Sequence, residues 1–198
     1  VDPSAVSPLK GNLSLSEVMY NPIGGDAFEY LELLNVGSSE VNLRDAQFDR
    51  GITYRFGNLS LAAGERIVVA KNRESFLSRY GTVGIRLADG QFEGRLKNGG
   101  ETIALIDGDG DRVFEGEYGD SGDWPGRAAG HGSSQEVIEP QLGLHNAANW
   151  NSSLRYPGAP GERCDRVSAG ISGVVHSTCF SARRVFRSMI IYALSLIH

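Results

Sequence analysis

The segment Phe28–Asn35, with the sequence FEYLELLN, carries the clearest strand pattern in the chain. Its residues alternate between the two faces of an extended strand. One face holds Phe28, Tyr30 and Glu32, and the other holds Glu29, Leu31 and Leu33. The pattern stops at Asn35-Val36-Gly37, whose residue types favour a turn. We therefore predict a strand that carries two glutamates among apolar residues and ends in a turn.

Further short segments on both sides of this one predict strands. They are residues 13–20, 41–43, 46–48, 52–56, 66–70, 102–107, 112–118 and 134–138. The segment 66–70, RIVVA, is apolar and rich in β-branched residues, so we expect both of its faces to be buried. The Asp-Gly pairs of residues 108–111 tolerate a positive φ and predict a hairpin between the two strands that flank them.

One short helix is predicted over residues 73–80. Asn72 precedes it, and a short polar side chain there can accept a hydrogen bond from the first turn. Phe76 and Tyr80 are four residues apart and share one face. Gly81 suits the left-handed exit from the helix.

Composition and charge limit the class of protein. The chain has 198 residues with 40% hydrophobic and 22% charged content, which is typical of a globular domain. Its 26 glycines favour many turns. Residues 1–161 carry a formal charge of −8 without a cluster of basic residues, so we expect no nucleic-acid partner. Seven to nine short strands with one helix predict an all-β, antiparallel sandwich.

Several stretches then resemble a known family, and they follow one another in that family's order. They are Leu15–Pro22, Phe28–Asn35, Val41–Leu43, Leu61–Val69, Leu96–Leu105, Trp124-Pro125, Asn149-Trp150 and Gly158–Gly161. Residues 13–161 thereby resemble the lamin tail domain, whose fold is an immunoglobulin-like β-sandwich. The acidic, turn-rich style is more similar to bacterial secreted and surface-attached members than to nuclear lamins. The resemblance divides the chain into an N-terminal linker, 1–12, the domain, 13–161, and a tail, 162–198.

The resemblance implies a non-catalytic binding or structural module in a larger, exported bacterial protein. Its partner would be a protein, a cell surface or a polysaccharide, and its location extracellular or at the cell surface. Two alternatives stay open. One is a carbohydrate- or calcium-assisted surface-binding domain. The other is an accessory domain of a kinase-like, phosphatase or nuclease enzyme whose catalytic part lies elsewhere.

No catalytic or cofactor-binding residue is predicted. Residues 119–123, GDSGD, are similar to the segment around a trypsin-like protease serine, but no histidine precedes His131. His131 and His145 lie in predicted loops, where a surface role is expected. The sequence also lacks other recognisable catalytic motifs such as HExxH or a phosphate-binding loop.

Two groups of residues are candidates for ligand contact. Asp107, Asp109 and Asp111 have the spacing of a calcium loop, but Tyr118 stands where the closing glutamate would be. A hairpin tip is the simpler interpretation, with no metal bound. Aromatic residues in the late loops could stack on a sugar or cover one end of the sandwich. They are Trp124, Trp150 and Tyr156.

The tail, 162–198, differs in kind from the domain. It carries a formal charge of +3, holds both cysteines, Cys164 and Cys179, and ends in the apolar run 188–197. We interpret it as the truncated beginning of a next region or as a frame or read-through artefact, with an amphipathic end as the alternative. The apolar run is shorter than the ~20 residues of a membrane span, so no transmembrane segment is predicted.

Overall fold

A computed structural model describes residues 6–166 and 177–180. Its main elements are two antiparallel five-stranded sheets. The chain passes back and forth between the two sheets, so that neither sheet is completed before the other begins. The strands are β1 (Leu13–Met19), β2 (Tyr30–Asn35), β3 (Val41–Asn42), β4 (Gln47–Arg50), β5 (Ile52–Arg55), β6 (Ser60–Leu61), β7 (Arg66–Ala70), β8 (Glu93–Gly94), β9 (Gly100–Ile106), β10 (Arg112–Gly119), β11 (Gln135–Val137), β12 (Trp150–Ser152), β13 (Arg163–Arg166) and β14 (Ser177–Phe180).

The first sheet has the strand order β12-β11-β1-β2-β7, and the second has the order β10-β9-β4-β5-β8. Apolar side chains from both sheets form one buried cluster between them. The first sheet contributes Leu15, Leu31 and Val69, and the second contributes Phe48 and Leu105. This arrangement confirms the predicted all-β, immunoglobulin-like sandwich.

One α-helix forms among the described residues, α1 (Arg73–Tyr80), and it covers part of the outer face of the first sheet. It begins as predicted, because the side chain of Asn72 accepts a hydrogen bond of 2.9 Å from the Ser75 amide. Phe76 packs beneath it against Val68, which points away from the main core. The strand β7 is therefore buried on both faces, as its apolar sequence predicted.

A β-bulge in β1 explains why residues 13–20 alternate only in part. Leu15 lies opposite Leu33 of β2, but Glu17, rather than Ser16, is the next residue in register, opposite Glu32. One extra residue on β1 shifts the phase of the side chains. Leu15 and, beyond the bulge, Val18 consequently both point into the core.

The structure also differs from the sequence-based expectation in three places. Phe28 lies in a 3-10 turn (Asp26–Phe28), so β2 begins two residues later than its alternation suggested. More strands form than the seven to nine expected, because pairs as short as β3 and β6 form ladders of their own. Leu9, in the segment expected to be a linker, is 2% exposed and belongs to the core.

The tail is described only in part. The strands β13 and β14 pair antiparallel, with Cys164 opposite Cys179 in register. The apolar run 188–197 lies outside the described residues. Within the described ranges, the structure has no helix with the length and apolar character needed to cross a membrane. The proposed division into linker, domain and tail stays a prediction.

We predict that Asn35→Ala destabilises the sandwich by about 2–4 kcal/mol, because it removes a buried side-chain amide at the end of β2 and leaves two carbonyls without their donor. Asn35 is fully buried, and its amide donates hydrogen bonds of 2.9 Å to the carbonyls of Ser39 and Leu61. Chemical denaturation followed by tryptophan fluorescence measures the loss.

The matched control is Asn42→Ala. The Asn42 amide also bonds two side chains, those of Asn58 and Ser60, but at an exposed position. We expect a loss below about 1 kcal/mol there. Equal losses for the two variants would contradict a special role of Asn35.

Candidate functional site

A row of three glutamates crosses the outer face of the first sheet. Glu17 of β1 lies in register with Glu136 of β11 on one side and with Glu32 of β2 on the other. We call Glu136, Glu17 and Glu32 the glutamate row. Opposed side chains of neighbouring strands have Cβ atoms only about 4.5–5.5 Å apart, so like charges there repel each other. Arg66 of β7 provides a basic side chain next to the row.

Glu17 is the most enclosed member of the row, at 2% exposure. Its Oε1 accepts a hydrogen bond of 2.5 Å from the Tyr30 hydroxyl and another from the Ser134 hydroxyl. A third, of 3.0 Å, comes from the backbone amide of Ala159. Burial raises the pKa of Glu17, and these three donors together with Arg66 oppose that rise.

Glu32 is 1% exposed and is bonded through both oxygens. Its Oε1 accepts from the Ser16 hydroxyl at 2.7 Å and lies 3.0 Å from the Arg66 Nε, while its Oε2 accepts from the Gly161 amide at 2.5 Å. Burial and the neighbouring Glu17 raise the pKa of Glu32 to about 8, although Arg66 lowers it.

Glu136 is the least compensated member of the row. Its Oε1 is buried and has no hydrogen-bond partner among the described residues. Burial and the charge of Glu17 raise the pKa of Glu136 to about 8, and a hydrogen bond with Ser153 opposes the rise. The row therefore retains protons at neutral pH instead of carrying three full charges.

The segment 155–162 lies across the row, and we call it the strap. Two of its backbone amides, at Ala159 and Gly161, are the donors to Glu17 and Glu32 described above. Its Pro157 carbonyl accepts a hydrogen bond of 2.9 Å from the Tyr80 hydroxyl of α1. At its ends, Arg155 and Glu162 form an ion pair of 2.8 Å.

Glycine is required where the strap passes closest to the sheet. Gly158 has a φ of +127°, and a Cβ there would lie 2.5 Å from the Tyr30 hydroxyl oxygen and 3.3 Å from Oε1 of Glu17. Both the backbone conformation and the space exclude a side chain. This explains the Gly158–Gly161 motif, because only a glycine lets the strap reach the buried carboxylate.

Beside the strap, a groove of about 640 Å³ opens over the glutamate row. We call it the groove. Its floor includes Glu32, Arg66 and Glu136, and its sides are formed by residues 34–37 and 137–141. The strap contributes Glu162 to its edge. The groove is thus a depression in the face of a sheet, and most of the ionisable side chains that line it are acidic.

Another buried carboxylate, outside the glutamate row, joins two other motifs of the chain. Glu29 is fully buried, and its Oε2 accepts a hydrogen bond of 3.0 Å from the Leu96 amide. Burial raises the pKa of Glu29 to about 7. The bond ties the beginning of β2 to the segment before β9, so the two stretches FEYLELLN and LKNGG meet in space.

The aspartates of the β9–β10 hairpin form a turn. Oδ1 of Asp107 accepts hydrogen bonds from the amides of Asp109 and Asp111, at 3.0 and 2.9 Å. Burial by itself would raise the pKa of Asp107, but hydrogen bonds from Ser7 and the turn amides hold that pKa below its usual value. Among the described residues, no group of three or more His, Cys, Asp or Glu side chains is arranged to hold a metal ion.

The two tryptophans meet at one end of the sandwich. Their ring centroids are 6.0 Å apart, and Trp150 is 3% exposed with its Nε1 donating to the Leu144 carbonyl at 3.1 Å. Trp124 is half-buried and lies against Gly119, where a Cβ would come within 2.6 Å of its ring. Tyr156 lies elsewhere, on the strap, with 63% of its surface exposed.

The residues considered for catalysis lie on exposed loops. Ser121, His131 and His145 are all exposed, and no hydrogen bond between any two of them is present. The sequence analysis overlooked the glutamate row. The available signal was Glu32 itself, a charged residue in an otherwise apolar strand, which indicates a paired or protonated buried group.

We predict that Gly158→Ala destabilises the protein by about 1–3 kcal/mol, because the new Cβ collides with the Tyr30 hydroxyl. Denaturation curves give the loss. Gly110→Ala is the control, since Gly110 also has a positive φ, +93°, but open space around it. A similar loss for both variants would mean that backbone strain alone, and not the collision with Tyr30 beneath the strap, is responsible.

We predict that Trp150→Ala costs about 3–5 kcal/mol of unfolding free energy, because a buried indole leaves a cavity. Trp124→Ala should cost less, because Trp124 is only half-buried. Leu142→Ala, at a side chain 68% exposed, should stay within about 0.5 kcal/mol. A Trp150→Ala variant as stable as the unmodified protein would argue for a ligand-binding role instead.

Comparison with known proteins bears on the larger part of the sandwich. A family model described as the Lamin Tail Domain matches residues 7–120, which is more than half of the chain. The match spans β1 to β10 and confirms the resemblance drawn from the sequence motifs. No curated protein matches the sequence. The chain therefore belongs to the lamin tail domain family, a family of immunoglobulin-like domains.

Proposed function

We propose that the domain is a non-catalytic interaction module of a larger, exported bacterial protein, and that it binds its partner in the groove. Membership of an immunoglobulin-like family supports a binding role, although fold alone does not specify function. The observation that carries the proposal is the groove itself, a depression of about 640 Å³ with charged groups on its floor. Binding sites are commonly concave with a few placed polar groups.

The charge of the groove selects the chemistry of the partner. Glu139 stands exposed at its side and Glu162 lies at its edge, so acidic side chains remain there although Glu32 and Glu136 hold protons at neutral pH. A basic protein segment complements these groups, whereas the phosphates of a nucleic acid are repelled. The partner we propose is therefore a protein, on a cell surface or in solution, that presents lysine or arginine side chains.

A basic peptide tests this proposal. We expect a hexa-arginine peptide added to the isotope-labelled full chain to shift the amide resonances of the groove, such as those of Gly37, Gly64, Ile138 and Gln141. A hexa-glutamate peptide should not shift them. Affinity should fall as salt is added, because exposed charges are screened.

A pair of charge variants locates the site. Glu139→Gln, at the side of the groove, should weaken peptide binding about two- to fivefold, in the range of an exposed ion pair. Glu93→Gln, an exposed glutamate on β8 of the second sheet, should leave it unchanged. Shifts spread over the whole acidic surface, or equal effects of both variants, would reject the groove as the binding site. Shifts confined to Trp124 and Trp150 with a glycan would favour the carbohydrate-binding alternative.

A further inference from the structure

We infer that the strap is a proton-linked latch: it lies closed over the glutamate row while the row holds protons, and it opens as the row becomes fully ionised. The inference concerns a moving part of the fold and does not rest on the proposed function. Three features carry it, namely the contacts that hold the strap, the charge balance beneath it, and the independence of the strap from the sheets.

The strap is held by packing of its buried residues, 158–160, on the sheet and by hydrogen bonds that are concentrated on the row. Its amides at Ala159 and Gly161 donate to Glu17 and Glu32, and its carbonyl at Pro157 accepts from Tyr80. No strand of either sheet includes residues 155–162. Opening the strap therefore breaks these bonds but leaves the strand ladders intact.

The charge balance beneath the strap is unfavourable when the row is ionised. Charged or titratable side chains face the row from every element packed around it. They are Tyr30 of β2, Arg66 of β7, Tyr80 of α1, and Arg155 and Glu162 of the strap. Arg155 is paired with Glu162, so among the side chains that the structure describes Arg66 is the cation that contacts the row. One cation cannot balance three buried carboxylates.

The direction of the linkage follows from the protonation equilibrium. Burial raises the pKa of Glu32 and of Glu136 to about 8, above the usual value of a glutamate in water. Opening removes the strap amides at Ala159 and Gly161, which favour the ionised carboxylates, but it also lets water reach the row. Burial has the larger effect on the pKa of Glu17 and of Glu32, so the carboxylates ionise more easily in the open state. The open state then binds fewer protons than the closed state, so rising pH between about 5 and 8 favours opening.

Opening has a structural consequence at two places. It uncovers Glu17, which the strap amide at Ala159 otherwise seals from solvent. It also removes Glu162 from the edge of the groove and frees the connection to β13. The latch thus links proton concentration to the shape of the groove.

Amide hydrogen exchange of the full chain, resolved by NMR and corrected for intrinsic rates, tests the latch. Between about pH 5.5 and 8.5, we expect protection of the Ala159 and Gly161 amides to fall at least about tenfold. Protection of the β7 amides Ile67 and Val69, which pair with β2, should change much less. A parallel fall at both places would mean global destabilisation and would overturn the latch.

Two isosteric variants complete the test. Glu136→Gln removes one charge from the row without touching a bond to the strap, so the fall in protection with pH should shrink at least about threefold. Glu117→Gln, an exposed glutamate of β10, should leave the fall unchanged. A pH-independent strap in the unmodified protein, or the same fall in Glu136→Gln as in Glu117→Gln, would reject the proposal.

Discussion

The carboxylate of Glu17 is the group on which the surroundings of the first sheet depend. A buried carboxylate needs hydrogen-bond donors, because it has lost those of water. Glu17 obtains them from three separate parts of the chain, namely Tyr30 of β2, Ser134 before β11, and the strap amide at Ala159. One side chain thereby fixes the position of a strand, a loop and the closing segment relative to one another.

The bulge in β1 makes this arrangement possible. Without the extra residue at Ser16, strict alternation from Leu15 would direct Glu17 into the apolar core and Val18 outwards. The bulge reverses the phase and places both side chains correctly. The cost is that Glu17 then lies opposite Glu32 and Glu136, so that three carboxylates meet on one face. Their shared protons and Arg66 reduce this repulsion.

The same outer face separates a structural part from an accessible part. Near α1, apolar packing of Phe76 on Val68 covers the sheet completely. Farther along, the strap covers the glutamate row mainly through polar contacts, with two of its amides bonded to Glu17 and Glu32, and beyond it the groove lies open. Polar cover is easier to remove than apolar packing, since water can replace its hydrogen bonds. The proposed binding surface and the proposed latch both follow from this difference.

The sequence by itself determined the fold class, the limits of α1 and the burial of β7, because capping chemistry and apolar patterns act between near neighbours along the chain. The order of the motifs along the chain also identified the family, because each motif can be recognised from a few neighbouring residues. Only the tertiary structure decided that Glu17, Glu32 and Glu136 form a row under residues 155–162. The register between strands far apart in sequence, and a one-residue bulge that changes which face a side chain occupies, are set by the packing of the whole sandwich.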